Sequence, residues 1–167
     1  GTTTGGGNPG PGQGSGVGTL FSLNTDGTGF TNLHNFVNND DQVDSPWAGL
    51  VISGNTLYGT TLPDGGSDYG TVFAIHTDGT DFTNLHRFTA EKNDGSTPYG
   101  GLALSGGILY GTTSGGGGVE GLVFAINLDG TGFTNLYGFS GGSDGGAPQA
   151  GVIISGNTLY GTTGDYG

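Results

Sequence analysis

The chain contains no cysteine and no methionine, and lysine and arginine together number 2. Without cysteine there are no disulfides, no thiolate metal sites and no thiol nucleophile. Against those 2 basic residues stand 14 Asp and Glu, for a formal net charge of −12. That balance offers no basic footprint for nucleic-acid phosphates and none for an anionic membrane surface. Charged residues are only 10% of the chain, where a quarter or so is usual. The acidic excess permits cation binding and keeps a sparsely charged surface soluble by mutual repulsion. No apolar run approaches the roughly 18 residues of a membrane-spanning helix. No signal peptide is visible, and position 1 is Gly. The expectation is therefore a processed chain or an excerpt of a longer one.

Glycine is what the chain has in excess: 41 residues, with 6 Pro, more than a quarter of its 167 positions. Without a period such a composition would indicate disorder. Here there is a period. Leu57-Tyr58-Gly59-Thr60-Thr61 recurs from Leu109 and again from Leu159, at spacings of 52 and 50, and the chain opens on a bare Gly-Thr-Thr. Phe21, Phe73 and Phe124 mark a second register. Phe30, Phe82 and Phe133, each followed by Thr-Asn-Leu, mark a third, and Pro46, Pro98 and Pro148 a fourth. Agreement among independent registers identifies a tandem repeat of about fifty residues. The units are read as 18–61, 62–113 and 114–163. Before them lies a Gly/Pro-rich lead-in, 1–17, carrying the tail of a D strand. After them, 164–167 begin a further connection.

Each unit predicts four short strands, rich in β-branched and aromatic residues. Strand A is "TLFSLN", "TVFAIH" or "LVFAIN". An Asp-Gly turn leads to strand B, "FTNLHNF", "FTNLHRF" or "FTNLYGF". After a polar loop come strand C ("LVIS", "LALS", "VIIS"), a Gly-Asn or Gly-Gly hairpin turn, and strand D with Leu-Tyr-Gly-Thr-Thr. Both faces of A and C carry apolar residues, so each sheet should be covered on both sides. The expected fold is all-β: three tandem four-stranded antiparallel sheets stacked as β-propeller-like blades, with a β-solenoid as runner-up. Blade packing is assigned to Phe21, Phe73 and Phe124, to Tyr58, Tyr110 and Tyr160, and to Gly59, Gly111 and Gly161. A glycine inside a strand implies close approach of a neighbouring backbone.

The string "GTVFAIHTDGTDFTNLHRFT…DGSTPYGGLALSGGILYGTT" resembles the GloVer-type tandem repeat, and the likeness runs from about Gly18 to Thr163 in three copies. The resemblance implies an exported, surface-held bacterial protein of propeller-like architecture, and it implies no catalysis. Long arrays and a C-terminal anchor are expected of such proteins; residues 1–167 carry three copies, and no anchor is expected among them.

Candidate sites are few. The loops "NNDDQVDSP" (38–46), "EKNDGSTP" (91–98) and "GGSDGGAP" (141–148) place Asp40, Asp41, Asp44, Asp94 and Asp144 ahead of strand C. Such carboxylates with nearby carbonyls are candidate Ca²⁺ ligands. The competing reading is Asx turns before a Pro-fixed strand start. No EF-hand spacing is present, and no other cofactor is expected. Trp47 and Tyr99, each just after an aligned proline, form a candidate binding rim, with Gln149 at the third position. His34 and His86 are aligned, but the third copy has Tyr137, so packing is the expected role. His76 falls at a turn. The Gly-rich stretches 1–16 and 114–118 lack the Lys-Ser/Thr ending of a phosphate loop. No serine has a nucleophile context, and no Asn-x-Ser/Thr acceptor occurs.

Three blades leave two apolar end faces to be covered. The sequence thus leads to a non-enzymatic extracellular or cell-surface structural or adhesive protein. Its partners would be copies of itself or further repeats, closing into a ring or continuing as a filament. The second reading is a ligand- or carbohydrate-binding propeller module. Residues 1–4 are expected to add to a sheet edge.

Overall fold

The computed structural model describes residues 1–5, 16–39, 42–63 and 69–165. Its strands are β1 (Thr2–Thr3), β2 (Gly16–Ser22), β3 (Thr31–Asn39), β4 (Gln42–Pro46), β5 (Val51–Ser53), β6 (Thr56–Pro63) and β7 (Thr71–His76). They continue with β8 (Thr83–Arg87), β9 (Ala103–Ser105), β10 (Ile108–Thr113), β11 (Leu122–Asn127), β12 (Thr134–Gly138), β13 (Ile153–Ser155) and β14 (Thr158–Tyr160). Each pairing is antiparallel. The fold is all-β and β-propeller-like.

The local chemistry explains the hairpins. At each A–B turn an aspartate accepts a backbone N–H and a hydroxyl from the Thr two residues on. The pairs are Asp26 with Thr28, Asp78 with Thr80 and Asp129 with Thr131, at 2.9 and 2.7 Å each time. These bonds hold all three carboxyls below the ordinary carboxylate pKa, the hydroxyl contributing most. The C–D turns close on Gly54, Gly106 and Gly156, all at positive φ, as primed hairpin turns require.

Sheet membership corrects the expectation from sequence. Strands A to D of one unit do not make one sheet. Instead β5 and β6, strands C and D of the first unit, join β7 and β8, strands A and B of the second. Likewise β9 and β10 join β11 and β12. Among the described residues the stack thus runs β1–β3, β5–β8, β9–β12 and β13–β14, and only the second and third of these groups have four strands. Strand β4 joins the first two groups edge to edge into one eight-stranded sheet. The reason lies in the connections. The D–A link returns strand A along the free edge of D through six residue pairs, Thr56 opposite His76 to Thr61 opposite Thr71. The long B–C link instead carries the chain to the next sheet. In the first unit that link adds a strand absent from the sequence reading, since β4 pairs with both β3 and β6.

The sheets stack face to face. Leu20 and Phe36 of the first pack on Phe73 and Ile75 of the second. Tyr58, Val72 and Phe88 of the second pack on Leu109, Phe124 and Ile126 of the third. The stack fans. At the inner edge, strand-C backbones converge: a Cβ on Gly100 would lie 2.5 Å from Gly151 N, and Gly101 sits beside Gly49. At the outer edge, stacked rings hold strands B apart. His34 lies parallel to Phe82 at 4.2 Å, and His86 parallel to Phe133 at 3.9 Å.

Gly59 and Gly111 show why strand D carries a glycine. A Cβ at Gly59 would lie 2.6 Å from Phe73 Cζ, and one at Gly111 closer still to Phe124 Cζ. The close neighbour is thus the Phe ring of the paired strand, not a backbone as the sequence implied. Gly161 meets only Val152 Cγ1, at 3.3 Å. Overpacking of this kind costs about 1–3 kcal/mol. Gly111→Ala is therefore expected to destabilise the chain by about that amount in a denaturant titration, while Gly161→Ala leaves the midpoint near that of the parent. Equal effects at the two sites would contradict the assignment.

Candidate functional site

Three places gather the functional candidates: the joints between sheets, the acidic loops and the inner rim. Each joint is built from the same parts. Strand B presents a His and a Phe to the next sheet, which answers with two Phe. Phe36 meets Phe73 edge-on at 5.5 Å, and Phe88 meets Phe124 at 5.4 Å. Phe73 and Phe124 are fully buried. Burial lowers the His34 pKa below its ordinary value, so the imidazole is a neutral packing ring. The Thr-Thr of strand D completes the joint. Thr60 Oγ1 donates to Gly100 O at 3.3 Å, and Thr112 Oγ1 to Ala150 O at 2.9 Å, each reaching the loop of the next unit. Thr61 Oγ1 bonds Thr71 Oγ1 across the sheet at 2.8 Å, in a buried setting.

The blade-packing candidates divide by position. Tyr58 is buried in the joint and Tyr110 is half-buried. Tyr160 is 53% exposed, and Phe21 is half-buried beside Phe30, itself 65% exposed. The end residues thus share the chemistry of the interior ones without their cover.

In the acidic loops, Asp40 and Asp41 lie outside the described residues. Asp44 lies in β4, its backbone opposite Pro63. Asp94 and Asp144 hold their own loops. Asp94 accepts from the amide and hydroxyl of Thr89 at 2.7 and 2.5 Å, and its other oxygen lies 2.6 Å from His86 Nε2. Asp144 accepts from the amide and hydroxyl of Ser140 and, at 2.9 Å, from Tyr137 OH. Among the described residues no three acidic or imidazole groups converge. The pairing of the strand-B residue with the loop Asp was missed in the sequence. The available signal was that His86 and Tyr137 differ in shape but both donate to a carboxylate. The hydroxyl near His86 and Asp94, that of Thr89, bonds the carboxylate rather than the imidazole, so it is not aligned as a nucleophile. His76 sits at its turn, Nδ1 3.1 Å from Asp81 Oδ2.

At the inner edge Trp47 and Tyr99 meet edge-to-face with centroids 6.2 Å apart, and Trp47 is 55% exposed. Gln149 is exposed beside Gly164. The candidate rim is therefore an aromatic pair rather than three equivalent positions.

The Ser140 hydroxyl, with the Ser140 amide and Tyr137 hydroxyl, holds the Asp144 pKa at about 2, below its ordinary 3.8. The same bond raises that of Tyr137. A depressed carboxyl stabilises the fold above the unfolded-state value and loses that contribution as pH falls toward the folded one. Local loop order should therefore persist at pH 4 and be lost toward pH 2. Carboxyl-carbon NMR titration is expected to show a midpoint near 2, moving up in Ser140→Ala. An unshifted midpoint in the parent would remove this role.

The fold is similar to that of a β-propeller-like chain in a crystal structure described as a nidogen/laminin complex, with a TM-score of 0.60 and 21% identity. The match covers 87% of this chain and 47% of that one, so this chain spans about half the length of its structural neighbour. At that identity the likeness concerns the fold alone. No curated protein matches the sequence. The family model for the Gloeobacter/Verrucomicrobia repeat matches residues 1–167. The registers of Phe, Pro and Gly-Thr-Thr that build the joints thus run through the whole match, and the chain belongs to the Gloeobacter/Verrucomicrobia repeat family.

Proposed function

We propose that the chain is a non-catalytic structural or adhesive element, exported to the cell surface or beyond, whose sheets join head to tail with further copies. One observation carries this reading. The two end faces carry the two halves of the interior joint. On the β2–β3 side stand Phe21, Leu23 and Phe30, the counterparts of Phe73, Ile75 and Phe82. Leu23 is 48% exposed and Phe30 65%. At the other end stand Tyr137 and Phe139, the counterparts of His86 and Phe88, with Leu136, Ile153 and Tyr160 exposed nearby. Exposed apolar patches of this kind mark interaction surfaces. The two faces differ, so their contact is heterologous and yields a ring or an open polymer. The outward location is supported by the resemblance of the repeat to exported proteins. The Thr89 hydroxyl beside His86 donates to the Asp94 carboxylate, an arrangement that suits a structural role.

A second reading, carbohydrate binding at the rim, is favoured by the contact between Trp47 and Tyr99. The flat aromatic faces of such a pair suit sugar rings.

Light scattering with electron microscopy of one sample tests the first reading. The apparent mass should rise with concentration, with rings or filaments in the images. Phe30→Ser should weaken association without loss of fold, because Phe30 is 65% exposed in the single chain. A monomer at every concentration would overturn the proposal. In that case, quenching of the lone Trp by soluble oligosaccharides would favour the rim reading.

A further inference from the structure

The inner edge repeats one local design in each unit. A proline is followed by a large planar side chain and then by two residues with almost no side chain. The runs are Pro46-Trp47-Ala48-Gly49, Pro98-Tyr99-Gly100-Gly101 and Pro148-Gln149-Ala150-Gly151. All three prolines are buried, and each seats on a glycine near the start of strand A. A Cβ at Gly18 would lie 2.9 Å from Pro46 Cδ, and Cβ atoms at Gly70 and Gly121 would lie 2.6 Å from Cδ of Pro98 and Pro148. Gly100 abuts Ala150 and Gly151, and Gly101 lies beside Ala48 and Gly49. The planar side chains, two rings and then an amide, are thus set on adjoining loops above a ledge of Ala and Gly.

Tyr99 is firmly held. Thr97, two residues before it, has φ +58°, an outlier for a β-branched residue that its surroundings must fix. Its N–H donates to Tyr69 O at 2.8 Å, and its carbonyl accepts from Tyr99 N, Ser114 N and Ser114 Oγ at 3.0, 3.1 and 3.2 Å. Trp47 meets the Tyr99 ring with the two planes at 78°, so one ring forms a floor and the other a wall. Tyr99 has a neighbouring loop on both sides and is still partly exposed. Access to the row is therefore a property of the inner edge itself. The segments 44–50, 94–102 and 144–152 that carry the row each contain one Asp and no Lys or Arg.

We propose that Trp47, Tyr99 and Gln149 form one binding row for an uncharged glycan that runs from unit to unit along the inner edge. This rests on the rim reading above and specifies the ligand's charge and length. The Trp47 ring stacks on the apolar C–H face of one sugar, and Tyr99 closes its side. Burial of those apolar faces supplies the attraction. The Gln149 amide both donates and accepts, which matches the hydroxyls of a sugar further along. The Ala-Gly ledge lets bulky sugar rings approach the backbone. Carboxylated or sulfated sugars are excluded by charge. The chain carries a formal net charge of −12, and the row holds no guanidinium or ammonium to pair with an anion. A stiff glycan loses little freedom on binding, so a few fixed contacts are enough. An extended peptide is recognised through an open strand edge, whereas the row offers side-chain faces.

The chain has a single Trp, so its emission reports on the row alone. The test titrates it with neutral glucan, xylan, mannan and chitin oligomers of about six sugars, with their monosaccharides, and with oligogalacturonate and sulfated oligomers. At least one neutral oligomer should shift the emission saturably, with its monosaccharide and the acidic oligomers at least about tenfold weaker. Tyr99→Ala and Gln149→Ala should each weaken that oligomer about tenfold. If acidic oligomers bind as tightly, this inference falls while the rim reading stands. The same holds if the monosaccharide matches the oligomer or if Gln149→Ala changes nothing, since the site then takes one sugar. If no sugar shifts the emission, or a proline-rich peptide does so at lower concentration than every sugar, both fall. Should Tyr99→Ala misfold by circular dichroism, Gln149→Ala, altered at an exposed side chain, decides the matter.

Discussion

Phe124 is fully buried, and its ring occupies the space where residue 111 of the paired strand would carry a side chain. The same holds for Phe73 over residue 59. Burying a phenylalanine contributes about 1.5–3 kcal/mol, and edge-on ring pairs add about 0.5–1.5 kcal/mol. Those gains require a residue with no side chain at one point of strand D. Beside that Gly, the next Thr reaches the loop of the next unit, and of the Thr residues that follow, Thr61 bonds across to Thr71 of strand A while Thr113 donates to Gly115 O. The recurring phrase is thus a joint between units. Its Leu and Tyr face opposite sides, Leu109 toward the preceding sheet and Tyr58 toward the following one. Its Gly admits the ring, and its two Thr tie the sheet to its surroundings.

This division of labour separates what the sequence displays from what it conceals. Strand type, hairpin turns and the stacking of sheets were legible, because alternating apolar residues and Asp-Gly or Gly-Asn turns act locally. Sheet membership was concealed. A repeat can be cut at any phase, and the pattern of one unit does not say which edge of strand D remains free. The clue lay in the opening Gly-Thr-Thr, which precedes a strand A with no strand D of its own unit before it. Residues 1–4 were expected to add to a sheet edge, and residues 2–3 do so on β2. The site candidates were legible only by position. Asp94 and Asp144 stood out as aligned carboxylates, but their partners Thr89 and Ser140 lie five and four residues away in irregular loops that no periodicity marks. Trp47 and Tyr99 are 52 positions apart in sequence and meet only because the inner edges of the sheets converge.

The same geometry links fold to proposed function. The interior joint has two complementary halves; among the described residues Leu23 and Phe30 expose counterparts of one half and Tyr160 part of the other. His34 and His86 serve the interior joints as stacked rings, and in the third copy Tyr137 offers a ring together with a hydroxyl fixed by Asp144. A joint held by rings, glycine and threonine needs few charges, in keeping with the low charge content and the lack of cysteine.

The central claim is that strand D of one unit pairs with strand A of the next. Cross-strand NMR contacts test it most directly. The account expects amide and α-proton contacts between residues 108–113 and 122–127, with Tyr110 opposite Ala125. Absence of those contacts, together with contacts that place residues 83–87 beside 103–105 in one sheet, would contradict it and return the sheets to the boundaries of the sequence units.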